Sequence, residues 1–222
     1  MQKPRRLRAM VFDFDGTLAR PALDFSLMKA RIATLARERL GRSPEPGPLP
    51  ALEWIEELAA LMSRPDAEAF RDESHRMILG MESEAASRTS LFGFVRPGLA
   101  RLRALGTVPA VITRNTRLSV DTVFPDAAAY LGVVLAREDV AAVKPDPGHL
   151  LAALDALGVG PEEAVMVGDH PTDVLTARRA GTLAAAVASG GTDEEELRRA
   201  GPDFLAKDAG ELMARLEAER WL

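Results

Sequence analysis

Short apolar runs separated by helical segments constrain the fold of this chain more than any other feature of its sequence. Each run is dominated by residues such as Val, Ala and Leu. Apolar strands that alternate with helices are typical of a parallel sheet that is buried on both faces. The runs are residues 7–12, 108–112, 133–135, 164–167 and 183–187. We therefore predict an α/β fold, with a mostly parallel sheet and helices on both of its faces.

The segment 19–92 interrupts this alternation. Its apolar side chains recur three and four residues apart, which is the spacing of amphipathic helices, and it holds no candidate strand. Asp24 and Gly41 are placed to cap the first of these helices. Four prolines and one glycine at 43–50 predict a loop before the second helix. We predict that the segment is an all-helical insertion attached to the loop after the first strand.

Two aspartates follow the first strand, in the motif Asp-Phe-Asp-Gly-Thr-Leu at 13–18. Asp13 and Asp15 lie two residues apart, so in an extended chain both carboxylates point to the same side. Gly16 permits a tight turn after them. Open α/β sheets bind ligands at the carboxyl ends of their strands. An Asp-Gly turn with two solvated acids is the alternative, but the complete motif after an apolar strand favours a functional site.

Polar residues also follow the later strands. Thr113 follows the second run, and Lys144 lies in the loop Val-Lys-Pro-Asp-Pro. Asp169 comes after the fourth run, with Asp173 four residues further along the chain. The carboxyl ends of parallel strands share one edge of the sheet, so we expect these side chains to lie close to the two aspartates of the first motif.

The chemistry of this set indicates a cation and a phosphoryl group. Several carboxylates close together are tolerated only with a bound cation or with raised pKa values. The chain has no cysteine, which excludes disulfides, thiolate catalysis and thiolate metal sites. Oxygen ligands alone indicate Mg²⁺. With Lys144 as a fixed positive charge and Thr113 as a hydroxyl donor, the set suits a phosphoryl group.

Charge and hydropathy narrow the possible partners. The formal net charge of −5 argues against nucleic acid or an anionic membrane surface as the main partner. A basic N-terminus that includes Lys3 and Arg5 precedes an apolar run that ends at Asp13. This run is too short for a signal peptide or a membrane span, so we expect a cytoplasmic protein. No sequence feature indicates an oligomeric state.

Four motifs in order resemble those of the haloacid dehalogenase superfamily of hydrolases. They are Asp-Phe-Asp-Gly-Thr-Leu at 13–18, Val-Ile-Thr-Arg-Asn at 111–115, Lys-Pro-Asp-Pro at 144–147 and Val-Gly-Asp-His-Pro-Thr-Asp at 167–173. The helical insertion resembles the small cap of phosphoglycolate-phosphatase-like members. The resemblance implies a Rossmann-like core formed by residues 1–18 and 94–222, and an inserted α-helical cap domain formed by residues 19–93.

The resemblance also implies a role for each aspartate. Asp13 would be the nucleophile that forms an aspartyl-phosphate, kept ionised by Lys144. Asp15 would protonate the leaving alkoxide and later take a proton from the attacking water. The Asp13 carboxylate, the Asp15 backbone carbonyl and the Asp169 carboxylate would hold Mg²⁺. Asp173 would contact and orient these ligands without binding the metal itself.

The remaining motif residues are assigned to the substrate or to local structure. Thr113 and Lys144 would bind the transferring phosphoryl group. Arg114 either reaches the same group or is a solvated arginine at the start of a helix. We interpret Asn115 first as a helix cap, and only second as a residue of the site. His170 is interpreted as a loop residue beside the metal ligands.

The leading hypothesis is a Mg²⁺-dependent phosphatase that acts on a small phosphorylated metabolite resembling phosphoglycolate. A 2-haloacid dehalogenase should lack the second aspartate, which is present here as Asp15. A phosphomutase of the same fold and a non-catalytic binding protein are the alternatives. A binding protein is expected to have lost a motif residue, and all are present. Phosphate release from an aryl phosphate, with and without Mg²⁺, separates an enzyme from a binding protein.

Overall fold

The computed structural model describes residues 6–47 and 49–222. The basic residues Lys3 and Arg5, and Pro48 of the predicted loop, therefore lie outside the described residues. The chain forms two units, one of Met1–Pro21 with Ala86–Leu222 and one of Ala22–Ala85. Within the described ranges, no helix combines the length and the apolar character that crossing a bilayer requires.

The smaller unit is helical. It contains α1 (Phe25–Leu40), α2 (Ala51–Ala59) and most of α3 (Arg64–Arg88), which ends in the larger unit. The predicted caps of α1 are confirmed, because the Asp24 carboxylate accepts a hydrogen bond from the Leu27 N–H at 2.8 Å and Gly41 ends the helix with φ at 67°. The unit has its own apolar cluster, which includes the buried residues Ile32, Ile55 and Phe70.

The larger unit is built on a six-stranded parallel sheet. Its strands are β1 (Ala9–Phe12), β2 (Val108–Ile112), β3 (Val134–Leu135), β4 (Ala164–Gly168), β5 (Leu183–Val187) and β6 (Phe204–Ala206). Their order across the sheet is β3-β2-β1-β4-β5-β6, and every neighbouring pair is parallel. The predicted parallel sheet is confirmed, whereas β6 was not predicted. In the register of the central strands, Ala9 lies beside both Val108 and Ala164.

In the part of the chain that the structure describes, six helices cover the sheet on its two faces. They are α4 (Val95–Ala104), α5 (Arg117–Val123), α6 (Pro147–Leu157), α7 (Pro171–Ala180), α8 (Glu194–Ala200) and α9 (Ala209–Ala218). Successive side chains of a strand point to opposite faces, and β1 shows this alternation. Met10 and Phe12 pack with residues of α4 and α9, and Val11 packs with residues of α6 and α7. The carboxyl ends of the central strands therefore form one edge between two helical layers.

Candidate active site

The first motif begins where β1 ends. The backbone N–H of Asp13 still donates to the Val167 carbonyl at 2.8 Å, which extends the β1–β4 ladder by one residue. Phe14 is fully buried and anchors the chain between the two aspartates. Gly16 then adopts φ of 79°, and its N–H donates to the Ala19 carbonyl at 2.8 Å. This left-handed turn fixes the backbone that carries the two carboxylates.

A buried lysine lies among the carboxylates. The Lys144 ammonium is 2.8 Å from Asp13 Oδ1 and 2.7 Å from Asp173 Oδ1, and only 2% of its side chain is exposed. Burial alone would lower the pKa of Lys144, but the charges of the two aspartates outweigh burial and raise its pKa. The lysine therefore remains a cation at the edge of the sheet.

Three carboxylates converge at this point. Asp13, Asp169 and Asp173 each offer an oxygen, and these atoms lie within 4.8 Å of one another. Burial, together with the charges of Asp13 and Asp173, raises the pKa of Asp169 to about 8. Burial also raises the pKa of Asp173 to about 6, although Lys144 opposes this shift. One ammonium leaves negative charge in excess, so the oxygen donors fit a hard divalent cation.

The loop after β5 packs directly on Asp169. A Cβ atom on Gly190 would lie 1.7 Å from Asp169 Oδ2, and one on Gly16 would lie 2.4 Å from the same atom. Ser189 Oγ donates to the Gly16 carbonyl at 2.7 Å, which joins this loop to the turn after β1. Thr17 Oγ1 also donates to Asp169 Oδ1 at 3.2 Å. Asp169 is therefore held between two glycines and a hydroxyl group.

Replacing Gly190 with alanine is expected to weaken the binding of a divalent cation to the carboxylate cluster by about 10–100-fold, since displacing groups that orient a metal ligand has effects of this size. The clash is with Asp169 itself, whose Oδ2 and Cγ would lie 1.7 and 2.4 Å from the new methyl group. Calorimetric titration with Mg²⁺ measures the change. Gly191→Ala is the matched control, because nothing lies within 4 Å of its Cβ position. Equal affinities in the two variants would contradict this description of the site.

The raised pKa of Asp169, about 8 in the folded protein, also predicts how stability depends on pH. Its pKa in the unfolded chain is near the ordinary value of 3.8, so between these values the folded state binds more protons than the unfolded state. The metal-free protein should therefore lose stability as the pH rises through this window. A divalent cation bound by the cluster, tested with Mg²⁺, should stabilise the protein most at the upper end, where the carboxylates are ionised.

Thermal melting in chelator across this pH window, with and without Mg²⁺, tests the dependence. Asp169→Asn cannot ionise at this position, so it should make the pH profile of the metal-free protein less steep, and Asp173, with its pKa raised to about 6, accounts for a remaining slope at lower pH. A metal-free wild type that becomes more stable than Asp169→Asn as the pH rises would show that the sign is wrong.

The segment after β2 holds the second motif. The Thr113 N–H donates to the Leu135 carbonyl at 3.0 Å, and Thr113 Oγ1 accepts from the Asn115 N–H at 3.0 Å. Asn115 Nδ2 donates to Asp15 Oδ2 at 3.0 Å. The residue that caps α5 is Thr116, whose side chain accepts from the Ser119 N–H. The interpretation of Asn115 as a helix cap is therefore wrong, because its amide binds the second aspartate of the first motif.

The two other uncertain residues also have defined contacts. Arg114 Nη1 donates to the Lys144 carbonyl at 2.7 Å, so its guanidinium contacts the lysine loop. His170 caps α7, with Nδ1 accepting from the Thr172 N–H at 3.1 Å. The His170 N–H in turn donates to Asp173 Oδ2 at 3.2 Å. His170 therefore helps to fix Asp173 through its backbone.

Sequence reasoning missed four residues that the structure brings to the site. Asn115 lies inside a motif, where its position favours a cap before a role in the site, and the sequence around His149 carries no signal for such a role. For the loop residues Ser189 and Gly190, the only signal in the sequence is a pair of glycines after an apolar run. The structure does bring together Asp13, Lys144 and the aspartates of the fourth motif.

Comparison with known proteins agrees with these features. The family model of haloacid dehalogenase-like hydrolases matches residues 7–181. A phosphoglycolate phosphatase from Shigella dysenteriae serotype 1 is 26% identical over 97% of this chain and 95% of its own length. A Caldanaerobacter subterraneus protein, named provisionally as the pyrophosphatase PpaX, is 28% identical over 94% of each chain. The crystal structure of a hydrolase from Pseudomonas syringae has the same fold, with a TM-score of 0.70, 21% identity and coverage of 95% of this chain and 98% of its own.

Proposed function

The chain belongs to the haloacid dehalogenase-like hydrolase family and is a phosphatase, and from this premise we propose that it hydrolyses a small phosphorylated metabolite through an aspartyl-phosphate on Asp13. The observation that supports this mechanism best is the pairing of Asp13 with a buried lysine. Lys144 Nζ and the Phe14 N–H both donate to Asp13 Oδ1, at 2.8 and 2.7 Å. These bonds fix the orientation of the carboxylate at the end of β1, as a nucleophile requires.

In the first step, an Asp13 oxygen forms a bond to phosphorus while the bond from phosphorus to the ester oxygen breaks. Asp15 donates its proton to the departing alkoxide. In the second step, water attacks the aspartyl-phosphate and gives its proton to Asp15, and inorganic phosphate and free Asp13 are released. The hydrogen bond from Asn115 Nδ2 to Asp15 Oδ2 supports this role, since it orients the acid.

Mg²⁺ is the cation that we propose for the carboxylate cluster. The Asp13 and Asp169 carboxylates and the Asp15 backbone carbonyl would hold it, and Asp173 would orient them. When bound, it would neutralise charge on the transferring phosphoryl group. Lys144 and the hydroxyl group of Thr113 would contact the same phosphoryl oxygens. Thr113 Oγ1 already accepts a hydrogen bond from the Asn115 N–H, so its own hydrogen is available for donation.

We further propose that the helical segment 19–93 acts as a cap that selects the substrate, because every motif residue lies outside it. Phosphoglycolate is the first substrate to test, since relatives that align along nearly the whole chain carry that name. Pyrophosphate is the second, because of the relative from Caldanaerobacter. Purified protein should be screened against phosphorylated metabolites, with and without Mg²⁺. Interconversion of sugar phosphates without release of phosphate would instead identify a phosphomutase.

Asp15→Asn is expected to slow the hydrolysis of alkyl phosphates by about 10²–10⁴-fold, which is the usual contribution of a general acid. An activated aryl phosphate should be affected much less, because its leaving group needs little help from a proton. Asparagine keeps an oxygen that can accept from Asn115 Nδ2. The measurement compares kcat/KM for one alkyl and one aryl substrate in both proteins. Equal losses for both substrates would exclude Asp15 as the acid.

A further inference from the structure

The backbone of Lys144 is bound on both sides by side chains from other parts of the fold. Its N–H donates to His149 Nδ1 at 3.4 Å, and its carbonyl accepts from Arg114 Nη1 at 2.7 Å. His149 lies in the first turn of α6, and Arg114 lies in the segment after β2. We infer that Arg114 and His149 are positioning residues that act through Lys144, an inference that rests on the proposed phosphatase function.

Lys144 needs such anchors because of where it lies. It belongs to the segment between β3 and α6, outside any strand or helix, so no ladder of backbone hydrogen bonds fixes its position. Its ammonium must nevertheless stay 2.8 Å from Asp13 and 2.7 Å from Asp173. The lysine side chain has four rotatable bonds, so its two ends have to be held separately. The carboxylates hold the ammonium, and Arg114 and His149 hold the backbone.

His149 also connects Lys144 to the phosphoryl-binding segment after β2. It is fully buried, and its Nε2 lies 3.1 Å from the Leu135 carbonyl. The same carbonyl accepts a hydrogen bond from the Thr113 N–H at 3.0 Å. The Leu135 carbonyl, at the end of β3, therefore links His149 to Thr113. His149 binds Lys144, and Thr113 is the residue that we propose donates to the phosphoryl group.

The hydrogen bonds define one tautomer of His149. Nδ1 accepts from the Lys144 N–H, so the hydrogen must be on Nε2, which donates to Leu135. Burial, aided by the charge of Lys144, lowers the pKa of His149 to about 4, and the ring is therefore neutral at neutral pH. A neutral ring with one donor and one acceptor satisfies both of its backbone partners without adding charge beside the ammonium.

The first test observes the Lys144 ammonium directly and needs no activity. The chain has four lysines, so ¹⁵N-lysine labelling gives few signals, and Lys144→Met identifies the one of interest. A buried, doubly paired ammonium should exchange its hydrogens slowly. Arg114→Met and His149→Leu should each speed this exchange at least about tenfold. This corresponds to a loss of about 1.4 kcal/mol in the free energy that holds the ammonium in its paired state. His149→Asn keeps an acceptor near the Nδ1 position and should retain the slow signal.

The matched control is Arg103→Met. Arg103 also donates from Nη1 to a backbone carbonyl, that of Tyr130, at 3.1 Å, but it is exposed and neither residue belongs to the site. This variant should keep the slow lysine signal and wild-type kinetics. Melting temperatures of all variants show that each protein remains folded.

The second test is kinetic. With an aryl phosphate and Mg²⁺, Arg114→Met and His149→Leu should lower kcat by about 10²-fold, the typical effect of misplacing a reacting group, and should leave KM nearly unchanged. His149→Asn should recover most of the lost kcat. An Arg114→Met variant with raised KM and normal kcat would overturn the inference, because Arg114 would then be a substrate ligand.

The two tests together decide the inference. Faster ammonium exchange with lowered kcat supports it. Lowered kcat with unchanged exchange would overturn it, because the residues would act by another route, and so would faster exchange with unchanged kcat. A wild type that releases no phosphate from any substrate would overturn the proposed function, and the exchange experiment would still show whether these residues fix the ammonium.

Discussion

Asp13→Asn is expected to abolish phosphate release, with a loss of roughly 10⁴–10⁶-fold, the range found when a catalytic nucleophile is removed. Asparagine has nearly the same shape, but its amide cannot form the aspartyl-phosphate, and it is a poorer ligand for a cation. Acid quenching during turnover of a ³²P-labelled substrate should trap a phosphorylated wild-type protein and no phosphorylated variant. The variant should remain folded, because Phe14 and the β1–β4 ladder are unchanged.

The control for this change is Asp126→Asn. Asp126 is exposed and pairs with Arg96 on the surface, so the same chemical substitution there should leave turnover unaffected. Turnover by Asp13→Asn within tenfold of the wild type would refute the assignment of the nucleophile. A labelled Asp13→Asn protein would place the covalent step on another residue.

Lys144→Met is expected to lower both activity and stability. Methionine fills most of the space but leaves the carboxylates of Asp13 and Asp173 without the ammonium between them. Removing one partner of a buried ion pair typically costs about 3–5 kcal/mol of unfolding free energy. The cost should be smaller at low pH, because the carboxylates can then be protonated. Urea unfolding at two pH values measures it, and phosphate release should fall by at least about 10²-fold.

Two further variants separate the charge effect from the loss of packing. Lys207→Met changes an exposed lysine outside the site and should be nearly neutral. The double variant Lys144→Met with Asp173→Asn should regain part of the lost stability, because one uncompensated carboxylate is gone. A loss of less than about 1 kcal/mol in Lys144→Met would mean that the ammonium does not stabilise the cluster in the way its burial indicates.

Much of the sheet was predictable because its central strands are buried on both faces. The runs predicted at 108–112 and 183–187 match β2 and β5 residue for residue. The strand β6 was not predicted, because Phe204–Ala206 is too short to form a recognisable run. Edge strands need few residues, and their pairing depends on a neighbouring strand rather than on a local pattern.

The site was predictable only in part, for a related reason. Residues that end a strand are brought to one edge by topology, so Asp13 and Asp169 could be placed from the sequence. Asn115, His149 and Gly190 act through the direction of a side chain or the close approach of a loop. These features depend on packing between segments that are distant in the sequence, and no local spacing of residues encodes them.

The central position of β1 has a consequence for how the chain is made. Strand β1, which precedes Asp13, is translated before the other strands of the sheet. It is completed late, because Ala9 pairs with both Val108 and Ala164. At roughly 5–20 residues per second, the edge of β1 that pairs with β4 stays unpaired for on the order of ten seconds during synthesis. The helical unit and its own apolar cluster are synthesised during this delay. During synthesis β1 therefore keeps at least one unpaired edge until β4 has been translated, and a truncation before β4 leaves that edge open to aggregation.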